Sequence, residues 1–254
     1  MVESLFTERV RVPLVAAGGM LALTTVAFAL AGAPVPRPPW VFAGVAVALC
    51  SLLVATLRVD DYEPWDVAGI GTLGVLAGVV LRFSAFTVVA TSGVDHARWV
   101  RRVQRNIDAA AVTGSDMYSS APFYLLELGI GQRVLGLQPF ETRFVTLAIA
   151  SVLPVVVGAF AYRLTDSRRT ALVALLLTAP HFLFLRTSAL LESESLAILW
   201  FIGAFFVLVR YLQTDDRRLL ALLPVLLASA VFLHFLYVVV ILGTIVGTLA
   251  LLLG

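Results

Sequence analysis

The feature that most constrains this chain is a series of uninterrupted apolar runs, each about the length of a membrane crossing. A hydrocarbon core of ~30 Å needs roughly 20 apolar residues per helix. Val12–Gly32 is the first such run, and Pro34, Pro36, Pro38 and Pro39 end it in a stiff turn. Trp40–Leu57, Val67–Ala90, Thr142–Tyr162, Thr170–Thr187 and Leu196–Leu212 follow. The tail Leu219–Gly254 would be about 54 Å long as one helix at 1.5 Å per residue, too long for one crossing, and reads as two spans turning near His234. Backbone groups inside hydrocarbon must be satisfied within their own segment, which favours helices. The expected fold is all-α: a polytopic transmembrane helix bundle of about 8 spans with a long extracytoplasmic loop carrying amphipathic interfacial helices.

Composition agrees. The 254 residues are 60% hydrophobic and 13% charged, whereas about a quarter of a soluble domain is charged. A soluble enzyme, a disordered chain and a nucleic-acid-binding module are excluded. All 18 cationic residues are Arg, and net charge is only +2. Cys50, the one cysteine, lies in an apolar run, so neither a disulfide framework nor a thiolate metal site is expected. The first run is too long for a cleaved signal segment. Arg58, Asp60, Asp61, Glu63 and Asp66 read as a charged loop with Tyr62 and Trp65 at the interface. Ala121–Leu137 holds Glu127, Gln132 and Arg133 and reads as interfacial or re-entrant, since a charge at the bilayer centre is costly. Gly69, Gly71, Gly74 and Gly78, at near-helical spacing, predict close helix packing.

Arginines set the orientation, because short Arg-rich loops stay inside. The stretches Arg163–Arg169 and Arg210–Arg218 are two crossings apart and both fit the inner face. Counting outward, the N-terminus is inside, while Thr91–Phe140, Ser188–Ser195 and the turn at His234 are outside. Against the rule, Arg98, Arg101, Arg102 and Arg105 then lie outside. Their spacing of i, i+3, i+4 and i+7 makes one helical stripe, with Trp99, Val100, Val103 and Ile107 on the other face. Such a helix lies in the interface plane. Its guanidinium groups suit either a substrate phosphate or anionic lipid headgroups.

Glu192 and Glu194 form an acidic pair between apolar runs. Two residues apart on an ideal helix they diverge, so they converge only in a loop or at a helix start. One reading makes them first-turn acids favoured by the helix dipole. The other makes them, with Asp95, a hard-metal site for Mg²⁺ or Mn²⁺, which take carboxylate and phosphate oxygens. The orientation places all three on one face. Arg186 stands ready to meet the acids or a phosphate. His96 adjoins Asp95, and His234 and Tyr237 are candidates to line a cavity at the outer turn. Arg82 reads as a cation that snorkels outward from its span, and His181, after Pro180, as a packed or kink residue.

Taken together, these stretches resemble the N-terminal membrane half of a C-type glycosyltransferase, nearest the catalytic subunits of archaeal oligosaccharyltransferases. Ser92-Gly93-Val94-Asp95-His96-Ala97-Arg98-Trp99 is similar to that family's first external loop, with its Gly-x-Asp. Tyr118-Ser119-Ser120-Ala121-Pro122-Phe123-Tyr124 is similar to a Tyr- and Pro-bearing segment of the same loop, and Thr165–Leu172 to an inner turn. Glu192-Ser193-Glu194-Ser195-Leu196 is similar to its Asp-x-Glu motif, with Glu192 in place of the usual Asp. The likeness covers roughly residues 67–254, leaving 1–66 as a two-span extension. A WWDYG-type acceptor motif is absent.

The resemblance implies an integral protein of the plasma membrane, active at its outer, extracytoplasmic face. It would move a sugar or oligosaccharide from a polyprenyl (dolichyl) phosphate or diphosphate to a protein or lipid acceptor. A divalent ion on Asp95, Glu192 and Glu194 would serve the leaving phosphate, and Arg98, Arg101, Arg102 and Arg186 would hold its oxygens. The membrane domain looks incomplete at its C-terminal end, so a second chain supplying further spans is an expected partner. The rival expectation is a non-catalytic membrane subunit, a transporter half or a degenerate copy of such an enzyme.

Overall fold

A computed structural model of the chain describes residues 8–31, 38–84, 132–136, 143–181 and 194–233, with single positions and short pieces between 239 and 250. Among these residues every regular element is a helix: α1 (Glu8–Ala31), α2 (Pro39–Arg58), α3 (Pro64–Phe83), α4 (Arg143–Thr165), α5 (Arg168–Thr178), α6 (Glu194–Thr214) and α7 (Arg217–Leu233). Four stretches are long and apolar enough to cross a membrane: Arg9–Ala31, Pro39–Arg58, Pro64–Phe83 and Ala197–Thr214. The chain divides into two compact units, one of residues 1–92 with 150–189 and one of 93–149 with 190–254.

In the first unit α1, α2, α3 and α5 share one core, built on Leu21, Phe28, Val45, Leu52, Ile70 and Leu175. Val12, Val15 and Leu30 stay exposed, as suits helices whose surroundings are as apolar as their side chains. Small residues let the backbones approach. A Cβ on Gly44 would sit 2.1 Å from Thr24 Oγ1, and one on Gly74 would meet Leu175 and Leu176, each at 2.8 Å. The glycine stripe of α3 is thus a seam against α5. Hydroxyls in the helices are satisfied locally. Thr24, Ser51, Thr56 and Thr178 each donate to the carbonyl four residues back, which spares them the cost of an unmet polar group in an apolar setting.

Helix ends depart from the expected runs where caps decide them. Pro64 occupies the first turn of α3, and Glu63 and Asp66 form a reciprocal capping box. Asp66 therefore belongs to the helix and is buried, not part of an exposed loop. Trp65 is exposed, as an interfacial aromatic should be, but Tyr62 is buried. α5 ends at Thr178 ahead of Pro180, which has no N–H to continue the ladder. The His181 N–H closes the turn on the Thr178 carbonyl, and its side chain is exposed, not packed. Within the expected interfacial piece Ala121–Leu137, residues 132–135 make one helical turn that stops at Gly136, φ +65°, the left-handed stop that glycine permits.

Two connections repeat one motif. Tyr162-Arg163-Leu164-Thr165-Asp166-Ser167-Arg168-Arg169 joins α4 to α5, and Tyr211-Leu212-Gln213-Thr214-Asp215-Asp216-Arg217-Arg218 joins α6 to α7. In each the Thr hydroxyl bonds back one turn, 2.8 Å to Ala161 or Arg210. In each the next Asp is left-handed, φ 51°. Its N–H reaches the Tyr carbonyl, 2.7 Å for Tyr162 and 2.8 Å for Tyr211, which is the αL helix stop. Ser167 then caps α5 by accepting from the Thr170 N–H, and Asp216 accepts from the Arg218 N–H. In the second unit α6 and α7 pack through Ala204, Leu208 and Leu223, and Trp200 Nε1 donates to Ser229 Oγ at 2.8 Å.

Candidate functional site

Asp95, His96, Arg98, Arg101, Arg102, Arg186, Glu192, His234 and Tyr237 lie outside the described residues. Glu194 is the first residue of α6. It thus stands at the start of α6, and Glu192, two residues earlier in sequence, lies outside the described residues. That is one of the two settings in which carboxylates two apart can converge. It is equally where a lone acid is favoured by the helix dipole. Among the described residues no group of three or more His, Cys, Asp or Glu is placed to share a metal ion.

What the first unit does define is the geometry of its two ends. At one end, the last carbonyls of α2 have no partner within their helix. Three side chains supply donors. The Tyr62 hydroxyl donates to the Thr56 carbonyl. Arg169 Nη2 donates to the Val59 carbonyl and to Asp60 Oδ1, both at 2.7 Å. Arg168 Nη1 donates to the Tyr62 carbonyl at 2.7 Å. Two cations in the first turn of α5 oppose that helix's own dipole. Arg169 is directed at the carbonyl end of α2, where a cation is favoured, and Arg168 at the Tyr62 carbonyl in the connection to α3. Burial of Tyr62 pushes its phenol pKa above the usual value near 10.0, and the neighbouring Arg169 draws it back only in part.

At the other end, α3 and α5 finish side by side. Arg82, in the last turn of α3, is fully buried, and its Nη1 donates to the Ala179 carbonyl at 3.4 Å. A Cβ on Gly78 would stand 2.5 Å from that nitrogen, so the guanidinium folds back over Gly78 and does not snorkel outward. Helical side chains lean toward the N-terminus of their helix, and the bare glycine leaves the space. The cation thereby meets the carbonyl end of α5, again with favourable polarity.

In the sequence Arg168 and Arg169 mark an inner turn but do not announce what they bind. A signal for more was present: paired cations directly after an N-cap Ser sit at the unfavourable end of a helix dipole and need outside acceptors. A groove of about 710 Å³ between α3 and α4, floored by α5, was also unseen, because glycine spacing announces closeness and not the space beside it.

The fold and these ends define a class, a helical protein embedded in a membrane. Comparison with family models, with curated proteins and with solved structures finds no match for this chain.

Proposed function

We propose that the chain is an integral-membrane glycosyltransferase, or the membrane half of one, that moves a sugar or oligosaccharide from a polyprenyl phosphate or diphosphate to a protein or lipid acceptor at the outer face of the plasma membrane. One observation carries the reading. The Arg82–Ala179 contact sets the ends of α3 and α5 together. The chain leaving Ser84 leads to Asp95, and the chain leaving His181 leads to Arg186 and Glu192. Residues far apart in sequence thus start out from one end of the unit. At the opposite end the α2–α3 and α4–α5 turns meet through Arg168 and Arg169. That pairing fits an even number of crossings between them, with the arginines inside.

In this reading Arg98, Arg101, Arg102 and Arg186 hold phosphate oxygens by charge-assisted bonds. Asp95 orients the acceptor amide or hydroxyl. Glu192 and Glu194 complete a carboxylate set with Asp95. The set suits Mg²⁺ or Mn²⁺, which when bound supplies positive charge against the leaving phosphate. His96, His234 and Tyr237 line the same cavity. The test is Asp95→Ala, with transfer from a polyprenyl-phosphate sugar measured in vesicles. Turnover is expected to fall by about a hundredfold or more, the scale of losing one positioned acid or base. Retained turnover ends the assignment.

A second reading, a non-catalytic membrane subunit, is favoured by the position of Glu194 as the first residue of α6. There a carboxylate is stabilised by the helix dipole with no ligand. Under it the unaltered protein transfers nothing, and Glu194→Gln alters only the stability of α6.

A further inference from the structure

We propose that the groove between α3 and α4 holds an acyl chain of an anionic phospholipid, with the lipid phosphate seated on Arg168. The groove has a volume of about 710 Å³, within the ~300–1,000 Å³ usual for ligand sites. Its walls are mostly apolar: Val67, Gly71 and Leu76 on α3, Val155 and Ala159 on α4, with the Thr72 hydroxyl the one polar group partway along α3. Leu175 forms the floor, in contact range of Gly71 and close under Gly158. The charged end is the mouth, formed by Tyr162 and Arg168. From Val67 to Leu76 the groove follows α3 for about 14 Å at 1.5 Å per residue. That is about half of a ~30 Å hydrocarbon core, the depth of one leaflet. The site therefore runs from a headgroup level to mid-membrane and matches one lipid tail.

Charge selects the headgroup. Arg168 is exposed, and its Nη1 bond to the Tyr62 carbonyl fixes the guanidinium at the mouth. A guanidinium carries five N–H donors in a planar fork suited to phosphate. Two of the neighbouring acids are engaged elsewhere: Asp60 pairs with Arg169, and Asp66 accepts from the Glu63 N–H in the cap of α3. A second cavity, of about 360 Å³, is lined by residues such as Phe42, Leu49 and Leu177, with no charged residue among its walls. It lacks the feature that makes the first one specific. The polar mouth of the lipid site lies at the opposite end of α3 from Ser84, so it stands or falls independently of the transfer reaction.

The test uses the whole chain purified in detergent. Phosphatidylglycerol and, separately, phosphatidylcholine are titrated in, and bound lipid is counted by native mass spectrometry. Phosphatidylglycerol carrying a diazirine on its acyl chain then maps the contact. The expected result is preferential binding of phosphatidylglycerol, with label on the stretches 67–76 and 155–162. Arg168→Gln should weaken that binding about tenfold, the scale of one charge-assisted bond. Ala159→Phe fills the groove from an exposed wall position, leaves Arg168 and its Tyr62 bond in place, and should abolish the label. If Arg168→Gln also lowers the melting temperature, the Ala159→Phe arm decides. Equal affinity for the two lipids overturns the headgroup assignment, and unchanged labelling in Ala159→Phe overturns the site. A dimer that dissociates in Ala159→Phe, without lipid, would assign the groove to a second copy of the chain and overturn the proposal.

Discussion

The α4–α5 and α6–α7 connections share a sequence motif, a left-handed Asp at φ 51° and the same hydroxyl back-bond, yet their arginine pairs meet different fates. Arg169 binds the carbonyl end of α2, and Arg168 binds the Tyr62 carbonyl in the connection that follows it. Arg217 and Arg218 are exposed, and among the described residues the bond they make at that turn is local, from the Arg218 N–H to Asp216. The shape of such a turn is thus written in eight residues. What the turn does with its charges depends on whether another element presents unmet acceptors. In the first unit the seam between α3 and α5 brings those acceptors within reach.

The comparison breaks most sharply at that seam. Gly74→Leu would drive a side chain into Leu175 and Leu176, where even a Cβ stands 2.8 Å from each. Overpacking of this kind costs about 1–3 kcal/mol, more when backbone must move. The first unit should lose that much stability and release the Arg168 and Arg169 contacts. The α6–α7 turn should not respond, because its geometry is held by bonds within itself. Limited proteolysis of the protein in micelles, read separately at the two Arg-Arg sites, measures this. Equal acceleration at both sites would show that the turns are not independent.

A smaller effect sharpens the same point. Asp166 and Asp215 tolerate the left-handed region because a short polar side chain can bond locally, an option alanine lacks. Asp166→Ala and Asp215→Ala should each destabilise by about 1 kcal/mol, and by the same amount, since the strain is local. Replacement by Gly at either position should be near neutral. Chemical denaturation in mixed micelles, followed by near-ultraviolet dichroism, compares the pair. A loss at Asp166 several times that at Asp215 would mean that the first turn is shaped by its tertiary contacts after all.

The parts of this architecture that sequence reveals are those set by run length and local capping. Apolar stretches located α1, α2, α4 and α6 to within a few residues, whereas α3 ends at Phe83, seven residues before the run does, and the spacing of Gly71, Gly74 and Gly78 announced the seam. Asp66 was misplaced because the Glu63-Pro64 start is a cap, and caps overrule charge when a helix chooses its first residue. Arg82 was misjudged for a different reason. Whether a cation snorkels out or folds back depends on what stands one turn earlier and on which neighbour ends there, and Ala179 is distant in sequence. The groove of α3 and α4 was illegible for the same cause, being a space between helices and not a property of any one of them. The carboxylates of the proposed transfer site were chosen by membrane-side counting and resemblance. Of them Glu194 is the first residue of α6, and Asp95 and Glu192 lie outside the described residues.

The smallest effect singles out the first turn by pH. Tyr62 is buried and donates its hydroxyl proton to the Thr56 carbonyl, a bond that only the protonated phenol can make. Burial raises its pKa above 10.0 in the folded protein, while in the unfolded chain it titrates near 10. The folded state therefore holds its proton more tightly. The resulting contribution to stability is complete below pH 10 and is lost as pH rises through the folded value. Among the described residues no such tyrosine bond ties the second turn, so alkaline titration should loosen the α4–α5 connection first. Tyr62→Phe removes the titrating proton and should flatten this part of the profile, while costing about 1 kcal/mol at neutral pH for the lost bond to a buried carbonyl. Stability measured from pH 8 to pH 11 on both proteins decides the matter. Parallel curves would mean that the phenol of Tyr62 titrates alike in the folded and unfolded chains, and that the arginines alone hold the first turn to α2.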